Sequence, residues 1–212
     1  MKQLYVKDLK ISRLYIILFA LFILLTYLFH VNSMGINMTV ILGFLILLFY
    51  FDYQHHVLRS LVSMPLNRKQ IVRTRYVFLY SLTIVFMLFI WLVDSIAINN
   101  LYLGNFTYLT AKDIVHYFVI FTVLLAIYLP IFYLIKNFMH AVSVFMVSHF
   151  VIVFTYSISR GNPYITLDDK IASLIEALWN IQPFVIPLVV SLLVMFVSYL
   201  ISNWFFIKFD LE

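Results

Sequence analysis

A few polar residues interrupt the long apolar stretches of this chain, and their types allow chemistry. Asp94 and His149 lie inside such stretches, and His116 lies near the end of one. Burying an ionisable group in a membrane is costly, so each is a functional candidate by default. We predict that Asp94 and His116 reach water near a membrane surface. His149 has two possible roles, a proton relay and, as the favoured one, a helix–helix hydrogen bond through Ser, Thr or Tyr. Asp94 and His149 are the candidates for a transport pathway.

The motifs of intramembrane and nucleotide-hydrolysing enzymes are missing from the sequence. There is no H-E-x-x-H, no G-x-S-x-G and no G-x-x-x-x-G-K-[ST], and the glutamates are Glu176 and Glu212. The chain has no cysteine, which excludes a thiolate metal site and a cysteine nucleophile. We therefore predict no catalytic residue, no metal site and no cofactor bound by this chain.

The composition is that of an integral membrane protein, with 65% hydrophobic and 11% charged residues. A helix needs about 17 to 25 apolar residues to cross the hydrocarbon layer. Continuous apolar runs favour helices over the alternating strands of a β-barrel. We predict an all-α membrane protein with a single transmembrane domain over residues 1–212. Its six predicted spans are 14–31, 34–51, 76–98, 117–135, 141–158 and 183–206.

The basic residues orient these spans, because Lys and Arg favour the cytoplasmic side of short loops. With the N-terminus inside, three basic residues fall on the outer side, namely Lys112, Arg160 and Lys170. Eleven fall inside: Lys2, Lys7, Lys10, Arg13, Arg59, Arg68, Lys69, Arg73, Arg75, Lys136 and Lys208. Both termini are therefore predicted to be cytoplasmic. The net charge of +5 reflects this topology, so that nucleic-acid binding is not needed to explain it.

Residues 57–75, VLRSLVSMPLNRKQIVRTR, contain five basic residues and no acid, and lie between predicted spans two and three. The first part has an amphipathic helical pattern. Its apolar face consists of Val57, Leu58, Leu61, Val62 and Met64. Pro65 ends this helix, and Asn67 with Gln70 resembles the N-terminal cap of a second helix that continues into span three. The stretch either lies on anionic headgroups or presents a helix to a cytoplasmic partner.

Two further segments are amphipathic. Residues 1–13 fit either an interfacial helix that leads into span one or a short solvated basic tail, although Asp8 falls on the apolar side. Between spans five and six, a predicted short external helix has an apolar face that includes Ile171, Leu174, Leu178 and Trp179. This helix either rests on the outer leaflet or caps a pathway from outside, and the two roles are compatible. Prolines in spans four and six predict kinks: Pro130, Pro183 and Pro187.

The layout and the stretch SLVSMPLNRKQIVRTRYV resemble the membrane subunits of type-2 ABC exporters, in particular the short bacterial permeases. In that family the equivalent stretch forms a coupling helix that docks on an ATPase subunit. The family pattern matches Leu61, Ser63, Met64, Pro65, Arg68, Lys69, Ile71 and Val72.

This resemblance implies a permease subunit of an ATP-driven exporter in the bacterial cytoplasmic membrane. ATP and Mg would be bound by a separate ATP-binding subunit, and a second permease, identical or paralogous, would complete a dimer. The implied coupling residues are Val57, Leu58, Leu61, Val62, Met64, Pro65, Arg68 and Lys69. The apolar, aromatic interior with few charges suits an amphipathic peptide or a lipid-like molecule better than an ion or a sugar, and the resemblance implies a hydrophobic or amphipathic substrate, with peptide toxins as one class. The alternatives are a proton-coupled carrier, which needs several charged groups at the midplane, and a non-transporting membrane scaffold.

Overall fold

The long apolar runs fold into helices, because a helix satisfies its backbone hydrogen-bonding groups within one segment. The computed structural model describes residues 2–29, 34–54, 68–101, 109–135, 137–161 and 181–208. Within these ranges there are six helices. They are α1 (Lys2–Leu28), α2 (Met34–Gln54), α3 (Arg68–Leu101), α4 (Ala111–Leu134), α5 (Phe138–Gly161) and α6 (Val185–Lys208).

Each of the six predicted spans falls on one of these helices, although several bounds differ. Among the described residues, five helices are long and apolar enough to cross a membrane. The exception is α2, whose apolar part Thr39–Gln54 is shorter than the other five. Two helices start well before the predicted span, since α3 starts at Arg68 rather than at residue 76 and α4 at Ala111 rather than at residue 117. The described residues thus form a helical bundle with five to six helices of the apolar kind that crosses a membrane.

Successive helices run in opposite directions. The first part of α1, the last part of α2 and the first part of α3 meet where Asp8, Asp52 and Arg75 interact. At the same end the last turns of α4 and α6 meet, with the rings of Tyr133 and Phe206 5.5 Å apart. We call this the basic end of the bundle, because the helix segments there contain Lys2, Lys7, Lys10, Arg13, Arg68, Lys69, Arg73, Arg75 and Lys208. The start of α1 and the end of α6 therefore lie at the same end of the bundle, which agrees with the prediction that both termini are on one side.

The core of the bundle is formed around α4, which packs on α2, α3, α5 and, most extensively, α6. Phe121, Tyr128 and Leu129 of α4 are fully buried. Aromatic rings fill the space between neighbouring helices, as in the stacked pair of Phe49 and Phe132, whose centroids are 4.6 Å apart. Offset and stacked ring pairs of this kind add to the packing energy of the apolar side chains.

Hydroxyl groups join α3, α4 and α6. The Tyr76 hydroxyl lies 2.7 Å from the hydroxyls of both Ser198 and Ser202. Ser198 in turn donates a 2.6 Å hydrogen bond to the carbonyl of Ala126. Small residues and interhelical hydrogen bonds are typical of helix association in membranes, because apolar side chains alone gain little by leaving lipid. These bonds fix the register of α6 against α3 and α4.

The N-terminal residues form the first part of α1, and an interfacial position for them stays a prediction. α1 is continuous from Lys2 to Leu28. Leu4, Asp8 and Ser12 lie one turn apart on the same face, and all three are buried against the bundle. Asp8, which interrupts the predicted apolar face, has a buried cationic partner on another helix, Arg75 of α3.

The prolines of span six lie outside the helix interior. Pro183 precedes α6, and Pro187 is its third residue. Proline is tolerated in the first turn because the amides there have no intrahelical partner, so neither residue has to kink the helix. Pro130 does lie within α4, which continues as far as Leu134.

Candidate coupling site

Four charged side chains form a cluster at the basic end of the bundle. Arg75 donates a hydrogen bond from Nη2 to Oδ2 of Asp52, and the same nitrogen lies 3.6 Å from Oδ1 of Asp8. Lys7 Nζ lies 3.2 Å from Oδ1 of Asp8 and 3.5 Å from Oδ1 of Asp52. These residues, Lys7, Asp8, Asp52 and Arg75, are called the charge cluster below.

The charge cluster is balanced, with two cations and two carboxylates. Asp8, Asp52 and Arg75 are each no more than 3% exposed, whereas the Lys7 side chain is 26% exposed. Ions this deeply buried lose their hydration, and only close pairing offsets that cost. Lys7 reaches solvent from the rim, so that the inner three side chains depend on one another.

Aromatic rings complete the environment of Arg75. Its guanidinium carbon lies 5.5 Å from the centroid of the Phe49 ring, a distance typical of a cation–π contact. The ring of Tyr133 packs edge-on against Phe49, with centroids 5.6 Å apart. The charge cluster connects α1, α2 and α3, and its aromatic surroundings add α4 through Tyr133.

The position of the cluster in the chain is what makes it a candidate functional site. Asp52 lies three residues before the segment 55–67, and Arg75 lies eight residues after it. Their ion pair brings together the two helix ends from which this segment extends. A displacement of the segment would therefore reach α2 and α3 as a joined unit.

The predicted coupling residues fall partly in the described chain. Arg68 and Lys69 occupy the first turn of α3, with Lys69 exposed and Arg68 half-buried. The predicted cap residue Asn67 lies outside the described residues, which resume at Arg68 on α3. The residues on the predicted amphipathic helix lie outside the described residues, as does Pro65: Val57, Leu58, Leu61, Val62 and Met64. The external helix with Ile171, Leu174, Leu178 and Trp179 also lies outside them.

Asp94 is buried, which contradicts the expectation that it reaches water. It is 1% exposed, and both of its carboxylate oxygens accept hydrogen bonds. The Tyr27 hydroxyl donates to Oδ1 over 3.0 Å, and the Leu109 amide donates to Oδ2 over 2.9 Å. Leu109 directly precedes Thr110, the N-cap of α4. Asp94 thus ties α1 and α3 to the start of α4 at the end of the bundle opposite the charge cluster.

His149 makes the kind of hydrogen bond that the sequence favoured. Its Nδ1 lies 2.9 Å from the hydroxyl of Tyr128, which joins α5 to α4. Its ring also stacks on Phe145, one turn earlier on α5, with centroids 6.0 Å apart. His116 is half-buried near the start of α4. The structure does not bring His149 and Asp94 together, and a pathway role for either remains a prediction.

Asp52 and the pairing of Asp8 with Arg75 were not predicted from the sequence. The signal was present in the chain: Asp8 interrupts an apolar helical face, and Asp52 is an acid at the end of an apolar run. The basic partner of both acids, Arg75, lies on another helix. The spacing of residues along one helix does not identify such a partner. An acid on an apolar face is nevertheless a sign of a buried partner, because an unpaired charge there is costly.

A comparison with protein families assigns the chain. The model of the ABC-2 family transporter proteins matches residues 3–206. The chain belongs to this family. No curated protein and no solved structure matches it. As an ABC-2 transporter protein, it is a multi-pass membrane permease, and such permeases are normally the non-enzymatic membrane subunits of transporters that pair with an ATP-binding partner.

Proposed function

We propose that this ABC-2 protein is the transmembrane permease subunit of an ATP-driven exporter in the bacterial cytoplasmic membrane, with both termini cytoplasmic. A separate ATP-binding subunit hydrolyses ATP with Mg, and this chain converts the movement of that subunit into a rearrangement of helices. The observation that carries the proposal is the buried ion pair of Asp52 and Arg75 on the two sides of the segment 55–67, in a chain of this family.

The segment 55–67 and the first turn of α3 are the proposed contact with the ATP-binding subunit. Its apolar face, together with Pro65, fills a groove of that subunit, and Arg68 and Lys69 lie next to it on α3. The apolar face consists of Val57, Leu58, Leu61, Val62 and Met64. Support comes from the continuity of α3, which carries Arg68 and Arg75 on one rigid helix. A push on the segment is then transmitted directly into the membrane.

The functional transporter is proposed to contain two permease bundles, identical or paralogous, because one bundle of five to six helices does not enclose a wide pathway. The external helix with Ile171, Leu174, Leu178 and Trp179 closes the outer side of that pathway. Closure of the ATP-binding subunits moves the two coupling segments and switches the pathway between inward and outward access. Asp94 and His149 are kept as candidates for residues that line or shape it.

The substrate is proposed to be a hydrophobic or amphipathic molecule, with peptide toxins as the leading class. The chain resembles the staphylococcal exporters of phenol-soluble modulins, which are amphipathic peptide toxins. Further support comes from its 22 Phe and 15 Tyr residues with 11% charged residues. A wall of aromatic and hydroxyl groups accepts an amphipathic helix without having to desolvate a buried charge.

The position of the charge cluster favours an exporter over a proton-coupled carrier. Carriers place their ionisable coupling residues near the midplane of the membrane. Here the largest group of ionisable side chains among the described residues lies at one end of the bundle, and its charges are balanced. That arrangement suits a fixed connection between α2 and α3, through which movement of a cytoplasmic partner is transmitted.

The proposal predicts a Walker-A ATPase in a neighbouring reading frame, and the test is co-purification of this chain with that ATPase. We expect Arg68→Glu/Lys69→Glu to reduce both the recovery of the ATPase and its stimulation by the permease, and we expect the same of Leu61→Asp/Met64→Asp. Lys10→Glu/Arg13→Glu is the control, because it removes the same number of cations from exposed positions on α1. Unchanged association and stimulation in both coupling variants would refute the proposed contact.

A further inference from the structure

A groove of about 600 Å³ lies between α3 and α6, well within the range of small-molecule sites. Its α3 side is formed by Arg73, Tyr76, Val77, Tyr80, Ser81 and Ile84. Its α6 side is formed by Leu192, Met195, Phe196 and Tyr199. Both sets follow the spacing of one helix face. Since the groove belongs neither to the charge cluster nor to the segment 55–67, it needs a separate explanation.

The walls of the groove are mainly apolar, and two of their hydroxyl groups already have partners elsewhere. Tyr76 is bonded to Ser198 and Ser202 behind the groove, and Ser81 lies 2.8 Å from the hydroxyl of Tyr5. Ring faces and aliphatic side chains therefore form most of the surface that remains for a ligand, among them Leu192 and Phe196, which are more than half exposed. Such walls suit a hydrocarbon chain.

One end of the groove is cationic. Arg73 is exposed, and no ion pair between it and a described carboxylate is present. The contrast is with Arg75, two residues later, which turns inward to Asp8 and Asp52. A guanidinium presents a planar fork of donors that matches a phosphate.

The length of the groove matches one leaflet. From Arg73 to Ile84 the α3 side extends over eleven residues, about 16 Å at the helical rise. Half of the hydrocarbon layer is about 15 Å thick. Arg73 lies three residues before predicted span three, at headgroup level, and Ile84 lies within that span. A ligand with a phosphate at Arg73 and a chain that ends near Ile84 has the dimensions of a membrane lipid.

We infer that the α3–α6 groove binds an anionic phospholipid of the leaflet at the basic end of the bundle. Its phosphate pairs with Arg73, and one acyl chain lies between the two helices along Val77, Ile84, Leu192 and Phe196. Lys69 and Arg68 on the same helix raise the local positive potential, which favours anionic over zwitterionic headgroups. The bound lipid seals the bundle beside the helix that carries the proposed coupling contact.

The test uses the 212-residue chain, reconstituted in membranes of phosphatidylcholine and phosphatidylglycerol and then extracted into mild detergent. Native mass spectrometry counts the lipids that remain bound. We expect the wild type to retain phosphatidylglycerol preferentially. Arg73→Gln should lower that retention about fivefold, which is the change in binding constant expected from one basic residue at an anionic surface. Arg13→Gln, which removes an exposed cation from α1, should retain the preference.

Two neighbouring leucines provide a matched steric test. Leu192 lines the groove, while Leu193 points elsewhere, and they are 53% and 58% exposed. Leu192→Trp should displace the lipid, and Leu193→Trp should not. Retention of phosphatidylglycerol at the wild-type level in both Arg73→Gln and Leu192→Trp would overturn the inference.

A second permease copy is the competing occupant, and the absence of native cysteine makes it testable. If the groove were a contact between copies, Leu192→Cys would form cross-linked dimers in the membrane and Leu193→Cys would not. That result would overturn lipid binding, and an absence of cross-links at Leu192→Cys would support it. Lipid retention is measured without ATP and without the ATPase, so its outcome is separate from that of the coupling experiment.

Discussion

Asp52 at the end of α2 and Arg75 near the start of α3 form a buried ion pair across the base of the segment that links the two helices. The two residues are 23 positions apart, and Asp8 from α1 adds a second carboxylate to the same guanidinium. In a chain of the ABC-2 family, this pair holds together the helices that the proposed coupling segment has to move. It is the relationship that the first experiment addresses.

Removing the cation from this pair should strongly destabilise the bundle. Arg75→Gln leaves two buried carboxylates with only Lys7 to balance them, and breaking a buried pair in this way costs about 3–5 kcal/mol. The measurement is thermal unfolding in detergent, followed by tryptophan fluorescence. The control is Lys10→Gln, since Lys10 is exposed on α1.

The double variant Asp52→Asn/Arg75→Gln separates charge imbalance from loss of shape. It keeps the pair of Lys7 and Asp8, which are 3.2 Å apart, and the cluster is again neutral. We expect it to be more stable than Arg75→Gln alone, because the uncompensated charge is gone. A double variant that is less stable than Arg75→Gln alone would contradict this account of the charge cluster.

The Tyr27–Asp94 hydrogen bond predicts a smaller effect at the opposite end of the bundle. Tyr27→Phe leaves Oδ1 of Asp94 without that donor, and a buried acceptor without a partner costs about 1–3 kcal/mol. The same unfolding experiment measures it. Tyr53→Phe is the control, because Tyr53 is 51% exposed and its ring contact with Phe138 is preserved. Equal stability of the two variants would show that Asp94 does not depend on Tyr27.

The Tyr76 hydroxyl predicts how firmly α3 holds α6. Tyr76→Phe removes its bonds to Ser198 and Ser202, and interhelical bonds of this kind average about 0.6 kcal/mol each in membranes. We therefore expect a loss near 1 kcal/mol in unfolding free energy. Tyr199→Phe serves for comparison, since Tyr199 lines the same groove and contacts the Tyr76 ring. A loss no larger than that of Tyr199→Phe would argue against the hydroxyl network.

The hydrogen bond between His149 and Tyr128 predicts that His149 has a structural role and is not a proton relay. An acid–base group contributes about 10²- to 10⁴-fold to a rate, so His149→Gln would reduce transport by at least that lower factor if the histidine were a relay. We expect transport in proteoliposomes to persist within about threefold, the effect of losing one interhelical hydrogen bond. Tyr128→Phe should give a similar small loss, because it removes the same bond from the other side.

Much of the fold is predictable from the sequence, because the cost of burying polar groups in hydrocarbon acts on each local stretch. The apolar runs locate the helices, since each predicted span falls on one of them. The bounds of spans three and four were less accurate, since α3 and α4 extend beyond the hydrocarbon with polar turns that hydropathy does not detect. Pro187 shows the same limit: its effect depends on where the helix starts.

The candidate site was much less predictable. Asp8 looked like a defect in an amphipathic helix, and Asp94 looked like a residue at the water interface. In the structure both carboxylates are buried, and each has a partner across the contact between α1 and α3. Asp8 pairs with Arg75, and Asp94 accepts a hydrogen bond from Tyr27, 67 positions away. Helical periodicity assigns a residue to a face, but it does not say which other helix covers that face.

By itself, the sequence determined that this protein is a helical membrane protein with its basic residues concentrated on one side, because hydropathy and charge act on each segment independently. Only the tertiary structure decided that Asp8, Asp52 and Arg75 meet beneath the linking segment and that Arg73 is left at the mouth of a groove. The physical reason is that a buried ion needs a counterion within a few ångströms. That distance is set by how the helices pack against one another.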